Sequence, residues 1–519
     1  MAKYKEPNVA QLRFVPINFA ELFPEDHPLT QLLAAIRQLD LSEFDAGYKN
    51  DTAAGGRPAD SCERILSVIV YSLLYGGISM RNLQRELAVR ADLLYLSGGM
   101  DIDHTTFSVF RKRHHEAILK LFSQTVFVGA QAGLIDLDIV CIDSSKIKAW
   151  ANRHDIGDRE ELARRYQHIQ ELCKKRYAEW EACQNEEEKK VIEGRNRRLA
   201  RKRVKLEVAL QFLKDHPERK RVHLHEPDAD VQRDGNKGFV IGYNAQLAVD
   251  SKSQMIVHAD VVTRQSDAEQ TVSIVEAVEA QKPRLCEKKT DEVKYVLDCG
   301  YSSGENLRRL EDRDLFMPDR EFARLKEKTS KPEILLGANA LVSVKEQADR
   351  LDPNQRIRFT FDRDRDCFVC SSKGVLAFKR ERALEGVLYR NYHKSGCGKC
   401  ELRARCIGPG PGRTSKDLWV RASWLNESKA LEDPNPPEIS RYELLAAMRA
   451  KLSTTRGRAI YGRRFPVSEG VFATVKGLRK GNRFLRRGLD RVNEEWAERC
   501  IAHNLAKMSG FTLCRLMEC

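Results

Sequence analysis

Apolar positions recur at helical spacing through the first part of the chain: Leu32, Leu33, Ile36 and Leu39, then Ile65, Leu66, Ile69 and Leu73. They predict a helical unit over 20–125, with turns at Gly55-Gly56-Arg57-Pro58 and Gly76-Gly77. Within it Ser79 caps the helix carrying Leu83 and Leu87, and Thr105-Thr106 opens a basic helix with Arg111, Lys112 and Arg113. The pattern then changes to a continuous apolar run, Ile139, Val140, Cys141 and Ile142, which predicts a buried strand ending at Asp143. From 155 to 218 a charged stretch carries two apolar stripes. Tyr166, Ile169, Leu172, Tyr177 and Trp180 form one, and Leu199, Val204, Val208, Leu210 and Leu213 the other, predicting a helical hairpin arm. Strand signals return over 239–249 and 255–262, joined by the polar tetrad from Asp250 to Ser253, as an antiparallel hairpin. A helix over 267–280, a strand over 295–297 ending at Asp298, a helix over 305–311 and a strand over 315–317 follow. Further helices begin near Val467 and at Asn493, the last with Trp496, Cys500, Ile501 and Leu505 on its packing face.

Strand, hairpin, helix, strand, helix and strand is the element order of an α/β ribonuclease H-like sheet, here with a helical arm over 152–220 after its first strand. The predicted organisation is an N-terminal helical domain over 1–125, for DNA binding or dimerisation, and a catalytic domain over 126–320 and 441–519. An inserted cysteine-bearing module over 321–440 contains the loop-like GPGPGRTS and EDPNPPE segments.

Composition adds a partner class. The 519 residues carry 89 Lys and Arg against 75 Asp and Glu, a formal charge of +14, which favours a polyanion such as nucleic acid through counterion release. The basic run RNRRLARKRVK in the arm reads either as a DNA contact or as a solvated face. Absence of a bilayer-length apolar run and of a signal-peptide pattern at the N-terminus gives the expectation of an intracellular protein. No Walker-type phosphate loop appears. Of 14 cysteines, five crowd between Cys367 and Cys406, which suggests reduced thiols plus one metal site.

Asp143 and Asp298 each stand at the end of a predicted buried strand, where a rigid backbone can hold two carboxylates close enough to share divalent cations. Glu469 is the candidate third acid: on a helix, Glu469, Phe472, Ala473 and Lys476 share one face, directing a carboxylate and an ammonium toward the same cleft. These acids lie in VCIDSSKIKAWAN, in YVLDCGYSSGENL and in YGRRFPVSEGVFATVKGLRKGNRFLRRGLDRVNEEWAERCIAHNL. The three segments resemble those of bacterial DDE-type insertion-sequence transposases, in particular the group named after insertion sequence 1182, within the superfamily of insertion sequences 4 and 5. HPLTQLLAAIRQLDLSEFDAGY, YSLLYGGISMRNLQREL and DIDHTTFSVFRKRH resemble the InsH N-terminal domain of that group. PDADVQRDGNKGFVIGYNAQLAVDSKSQMIV resembles its hairpin region.

The resemblance implies a DNA transposase whose Asp143, Asp298 and Glu469 hold two Mg2+ ions, or Mn2+, for cleavage at the transposon ends and strand transfer into target DNA. It implies double-stranded DNA partners, namely terminal inverted repeats and target, a homodimer or higher assembly on DNA, and a bacterial cytoplasmic, nucleoid-associated location. Tyr461, Arg464 and Lys476 match the positions that flank the acid in the superfamily signature, and by that match bind phosphates. Four residues separate Arg464 from Glu469, one more than the commonest pattern, so Arg463 is the alternative in that role; the six-residue gap to Lys476 is kept. Arg111 and Arg113 are further DNA-binding candidates. Cys367-x2-Cys370 and Cys397-x2-Cys400, with Cys406, have zinc-ribbon spacing for a structural Zn2+. Ribbon spacing favours Cys367 over Cys406, the resemblance favours Cys370, Cys397, Cys400 and Cys406, and the two choices stay open. The rivals to a transposase are a nuclease on the same core and a domesticated DNA-binding protein without catalysis.

Overall fold

The structure, a computed structural model, describes residues 17–46, 48, 59–152, 154–233, 238–263, 266–285, 293–319, 322, 359–362, 364–370, 372–384, 387–407, 414–422 and 441–510. The turn expected at 55–58, and the loops expected over 408–413 and 432–438, lie outside the described residues.

The first part is helical, with Pro28–Arg37, Cys62–Leu74, Met80–Leu87, Ala91–Ser97, His104–Arg113 and His115–Gln131 as its principal helices. Cys62–Leu74 is apolar almost all round, so it must be enclosed, and it packs between Pro28–Arg37, Ala91–Ser97 and the closing helix Leu489–Met508. Ser79 caps its helix through the Asn82 amide. The basic helix starts one residue earlier than expected, because the Asp103 carboxylate accepts from the Thr105 amide and so provides the cap.

The central sheet contains β1 (Ile139–Lys148), β4 (Asp230–Arg233), β5 (Phe239–Asp250), β6 (Ile256–Val262), β7 (Lys294–Val296) and β8 (Asp314–Phe316); β2 (Ile156–Gly157) and β3 (Val222–His223) form a separate small pair. β4 and β6 share one edge of β5, and the order continues β5-β1-β7-β8. β1 runs antiparallel to β5 and parallel to β7, and β7 runs parallel to β8.

One expectation is corrected here: β1 does not end at Asp143 but continues to Lys148. Its polar second half, Ser144 to Lys148, is held by antiparallel pairing with Gln246 to Gly242 of β5, while parallel pairing with β7 stops at Cys141 and Val296. Asp143 therefore lies just past the point where one neighbour leaves the strand and the other stays. The helix expected over 267–280 runs from Thr271 to Leu285, preceded by a tight turn at Ala268–Gln270.

Between β1 and β4 the arm is a pair of helices, Arg159–Ala182 and Glu186–Asp215. Its apolar seam differs from the expected stripe. Leu206, Ala209 and Leu213 are buried with Leu162 and Val222, whereas Val204, Val208 and Tyr177 are more than half exposed. A helix with one partner buries only a narrow face, and residues 206, 209 and 213 at i, i+3 and i+7 define it.

The cysteine-bearing region forms a second sheet, an antiparallel meander of β9 (Phe359–Asp362), β10 (Cys367–Cys370), β11 (Val375–Leu384), β12 (Val387–Lys394) and β13 (Lys416–Arg421). Phe368, Leu376, Tyr392 and Val420 make its own small core. The chain returns through Arg441–Ser453 and Thr455–Gly462, two helices the apolar pattern did not reveal. Lys451 of the first donates to the Leu315 carbonyl of β8 at 2.7 Å.

Helical turns from Phe465 to Leu478, widened to the π type on either side of Gly470–Phe472, lead to the closing helix. That helix is buried from Val492 to Ala506 apart from Asn493, and its polar side chains are used as ties. Asn504 brackets β6, accepting from the Ile256 amide at 2.9 Å and donating to the Ile256 carbonyl at 2.9 Å. One continuous hydrophobic core runs from Leu29 to Ala506, joining the N-terminal helices, the sheet and the closing helix.

Candidate active site

Three acids distant in sequence lie near the end of the β1–β7 pairing. Asp143 is buried, and its Oδ1 accepts from the Ser144 amide at 2.8 Å. Its Oδ2 accepts from Arg464 at 2.9 Å and from the Ser468 hydroxyl at 3.0 Å. The same guanidinium donates to Glu469 Oε1 at 3.1 Å, so one cation spans two carboxylates. Asp298 lies two residues past β7, in a tight loop where its Oδ1 accepts from the Gly300 amide at 2.7 Å. Widened turns after Thr455–Gly462 bring Arg464, Ser468 and Glu469 against β1 together.

The electrostatics are those of crowded, partly desolvated carboxylates. Burial pushes the Asp143 carboxyl up to about 6, the Asp298 charge pushes the same way, and Arg464 opposes both. Asp298 is also raised, first by burial and further by Asp267, against its Gly300 hydrogen bond and Arg464. The Tyr461 phenol is raised by burial, with Arg464 and Asp298 both within electrostatic reach. Lys476 reaches the same face of β1, donating to the Ser145 hydroxyl at 2.7 Å and the Lys146 carbonyl at 3.2 Å.

All the acids are hard oxygen donors, which suits Mg2+ or Mn2+. Arg464 already occupies the position of a counter-cation between two of them. Among the described residues, however, no three His, Cys, Asp or Glu side chains stand close enough together to ligate one ion. The donor set fits a divalent cation, and Arg464 bridges two of its carboxylates.

Of the remaining basic candidates, Arg463 and Arg113 are exposed, and Arg113 lies over the Tyr48 ring. Arg111 is corrected: it is buried and forms an ion pair with Glu498 at 2.7 Å, tying the basic helix to the closing helix instead of facing a ligand. Three residues of the site were missed by sequence reasoning, namely Ser468, Lys146 and Asp267. Lys146 and Asp267 form an ion pair at 3.2 Å close to Asp143 and Asp298. The only signal for Lys146 and Ser468 was their place in the segments around Asp143 and Glu469.

In the second sheet Cys370, Cys397, Cys400 and Cys406 line one cavity of about 770 Å3. Cys367 is not among its walls. It stands three residues before Cys370 on β10, so alternation turns the two thiols to opposite faces, and Cys367 is buried away from the cavity. The Cys406 thiol is raised by burial and by the other three thiols of the cavity, against the nearby Lys416 ammonium. The Gly374 amide donates to Cys370 Sγ at 3.3 Å.

Two stretches of the chain match known families. Residues 369–509 match the Transposase DDE domain, and residues 17–113 match the Transposase domain (DUF772). No curated protein and no solved structure matches. Glu469 and the four cavity cysteines fall inside the first match, and the helices up to Arg113 inside the second; Asp143 and Asp298 lie outside both. Together the two matches support a DDE-type DNA transposase function: an enzyme of transposition whose partner is DNA and whose kind generally uses divalent metal ions. No helix of the described residues is long and apolar enough to cross a membrane.

Proposed function

We propose that this protein is an insertion-sequence transposase of the insertion sequence 1182-like group, acting in the bacterial cytoplasm on nucleoid DNA. The observation that carries the reading is the convergence of Asp143, Asp298 and Glu469 on Arg464, from a strand, a strand end and a late helical segment. The sheet supports a ribonuclease H-like core: three antiparallel strands in chain order β1-β5-β6, then β7 and β8 parallel on the other side of β1. The N-terminal helices supply DNA binding or dimerisation, and the cysteine-bearing sheet is an insertion into the catalytic domain.

Asp143, Asp298 and Glu469 would hold Mg2+ or Mn2+, which when bound stabilises the attacking and leaving oxygens of a phosphoryl transfer. The chain's own part is to place those carboxylates on rigid elements and to neutralise DNA around them. Arg463, Lys476 and Arg113 offer cations for phosphates, and Arg464 can turn from the acids to a phosphate once another cation balances them. Cys370, Cys397, Cys400 and Cys406 would hold a structural Zn2+ through four thiolates, leaving no open position for chemistry.

The test is strand transfer. With DNA carrying the element's ends, a target plasmid and Mg2+, joined products are expected from the wild type and none from Asp298→Asn that still binds DNA. Cleavage without any joining would instead identify a nuclease on the same core.

A further inference from the structure

Across β1 from Asp143 stands a carboxylate that sequence reasoning took only as the start of a helix. Asp267 Oδ1 accepts four hydrogen bonds: from Ser144 Oγ at 2.8 Å, Lys146 Nζ at 3.2 Å, Asn244 Nδ2 at 2.6 Å and Gln246 Nε2 at 3.1 Å. Alternation along β1 turns Ser144 and Lys146 to the face opposite Asp143, and the strand register sets Gln246 and Asn244 directly beside them. Gln246 also accepts from the Tyr301 hydroxyl, three residues past Asp298. The other Asp267 oxygen faces the space at Gly300: a Cβ placed there would lie 3.4 Å from Asp267 Oδ2 and 2.9 Å from Asp298 Oδ1.

The Lys146 ammonium is therefore surrounded by acid. Asp267 is its nearest charge, with Asp298 and Asp143 next in effect. An ammonium on a flexible four-carbon stem follows the strongest nearby negative charge, so without Asp267 it would turn to the two aspartates. There it would compete with a divalent cation for the same oxygens.

We propose that Asp267 is a positioning residue of the acidic site: it holds the Lys146 ammonium on the far face of β1 and so keeps a second side-chain cation, besides Arg464, off the oxygens of Asp143, Asp298 and Glu469 that would take a divalent cation. Through Gln246 and Tyr301 it also fixes the loop that carries Asp298. The inference rests on those three acids being the cation site.

Mn2+ binding to the full-length protein without DNA, followed by electron paramagnetic resonance, tests it. Asp267→Asn is expected to weaken binding about ten-fold, and Lys146→Met added to it to restore affinity to within about three-fold of wild type. A merely structural Asp267 would give a double variant no better than the single one, and that result overturns the proposal, as does wild-type affinity in Asp267→Asn. Lys146→Met alone covers the case in which Asp267→Asn does not fold: it is expected to bind Mn2+ at least as tightly as wild type, and weaker binding would also overturn the proposal. Asp298→Asn separates the two levels, because wild-type binding in that variant removes the acidic site itself, whatever Asp267 does.

Discussion

At the scale of one residue, Arg464 is what lets Asp143 and Glu469 stand close together. Asp143 is buried beside Asp298, so its carboxyl holds a proton up to about 6, while Arg464 bridges it to the more exposed Glu469. The sign of the pH effect follows. An unfolded Asp titrates near about 4, so the folded chain holds this proton more tightly. The stability that this carboxyl contributes is then full below about 4 and is lost as pH rises through about 6, because the folded state binds more protons over that window. Thermal melts in the presence of a chelator are expected to drop over that range and to drop less steeply in Asp143→Asn, where the raised Asp298 still contributes; an unchanged slope in the variant would assign the proton elsewhere. Asp143 and Asp298 were readable as candidates because a carboxylate closing a short apolar run breaks the apolar pattern. Asp267 and Ser468 were not, since their meaning lies in hydrogen bonds to residues 123 and 325 positions away, which leave no local periodicity.

Elements behave the same way. The hairpin β5–β6, the strands β7 and β8 and the closing helix follow from local apolar patterning to within a few residues. The second half of β1 does not, because its Ser and Lys side chains look like a turn until β5 is paired with it. Arg441–Ser453 was hidden for a related reason: it is only weakly amphipathic, and ion pairs to β8 and Asp319 help to hold it.

The closing helix carries the heaviest structural role. Glu498→Ala would leave the Arg111 guanidinium buried without its carboxylate, at a cost of about 3–5 kcal/mol in chemical denaturation. A loss under about 1 kcal/mol would show that Arg111 finds water or another partner. In the second sheet, β10 alternation favours the set Cys370, Cys397, Cys400 and Cys406. Cys406→Ser is expected to abolish Zn2+ retention after dialysis, measured by mass spectrometry of metals, while Cys367→Ser retains about one ion per chain; the reverse outcome would require β10 to turn its other face inward.

At the scale of the molecule, one core links the N-terminal helices to the sheet, so DNA bound to those helices, as proposed, would be held in fixed relation to the acids. The charge of +14 makes that binding salt-dependent. Replacing Arg463 or Arg113 with Ala is expected to reduce the slope of log affinity against log salt by about one each. An unaltered slope would take that residue off the DNA surface.

Asp143, Asp298 and Glu469 are proposed to form one catalytic unit. The most direct test is Mg2+-dependent cleavage of DNA bearing the element's ends by wild type and by Asp143→Asn, Asp298→Asn and Glu469→Gln, with DNA affinity measured alongside. The account predicts that each substitution alone removes cleavage by about a thousand-fold or more while binding is kept, as expected of residues that act together. Any one variant that cleaves at the wild-type rate would contradict it.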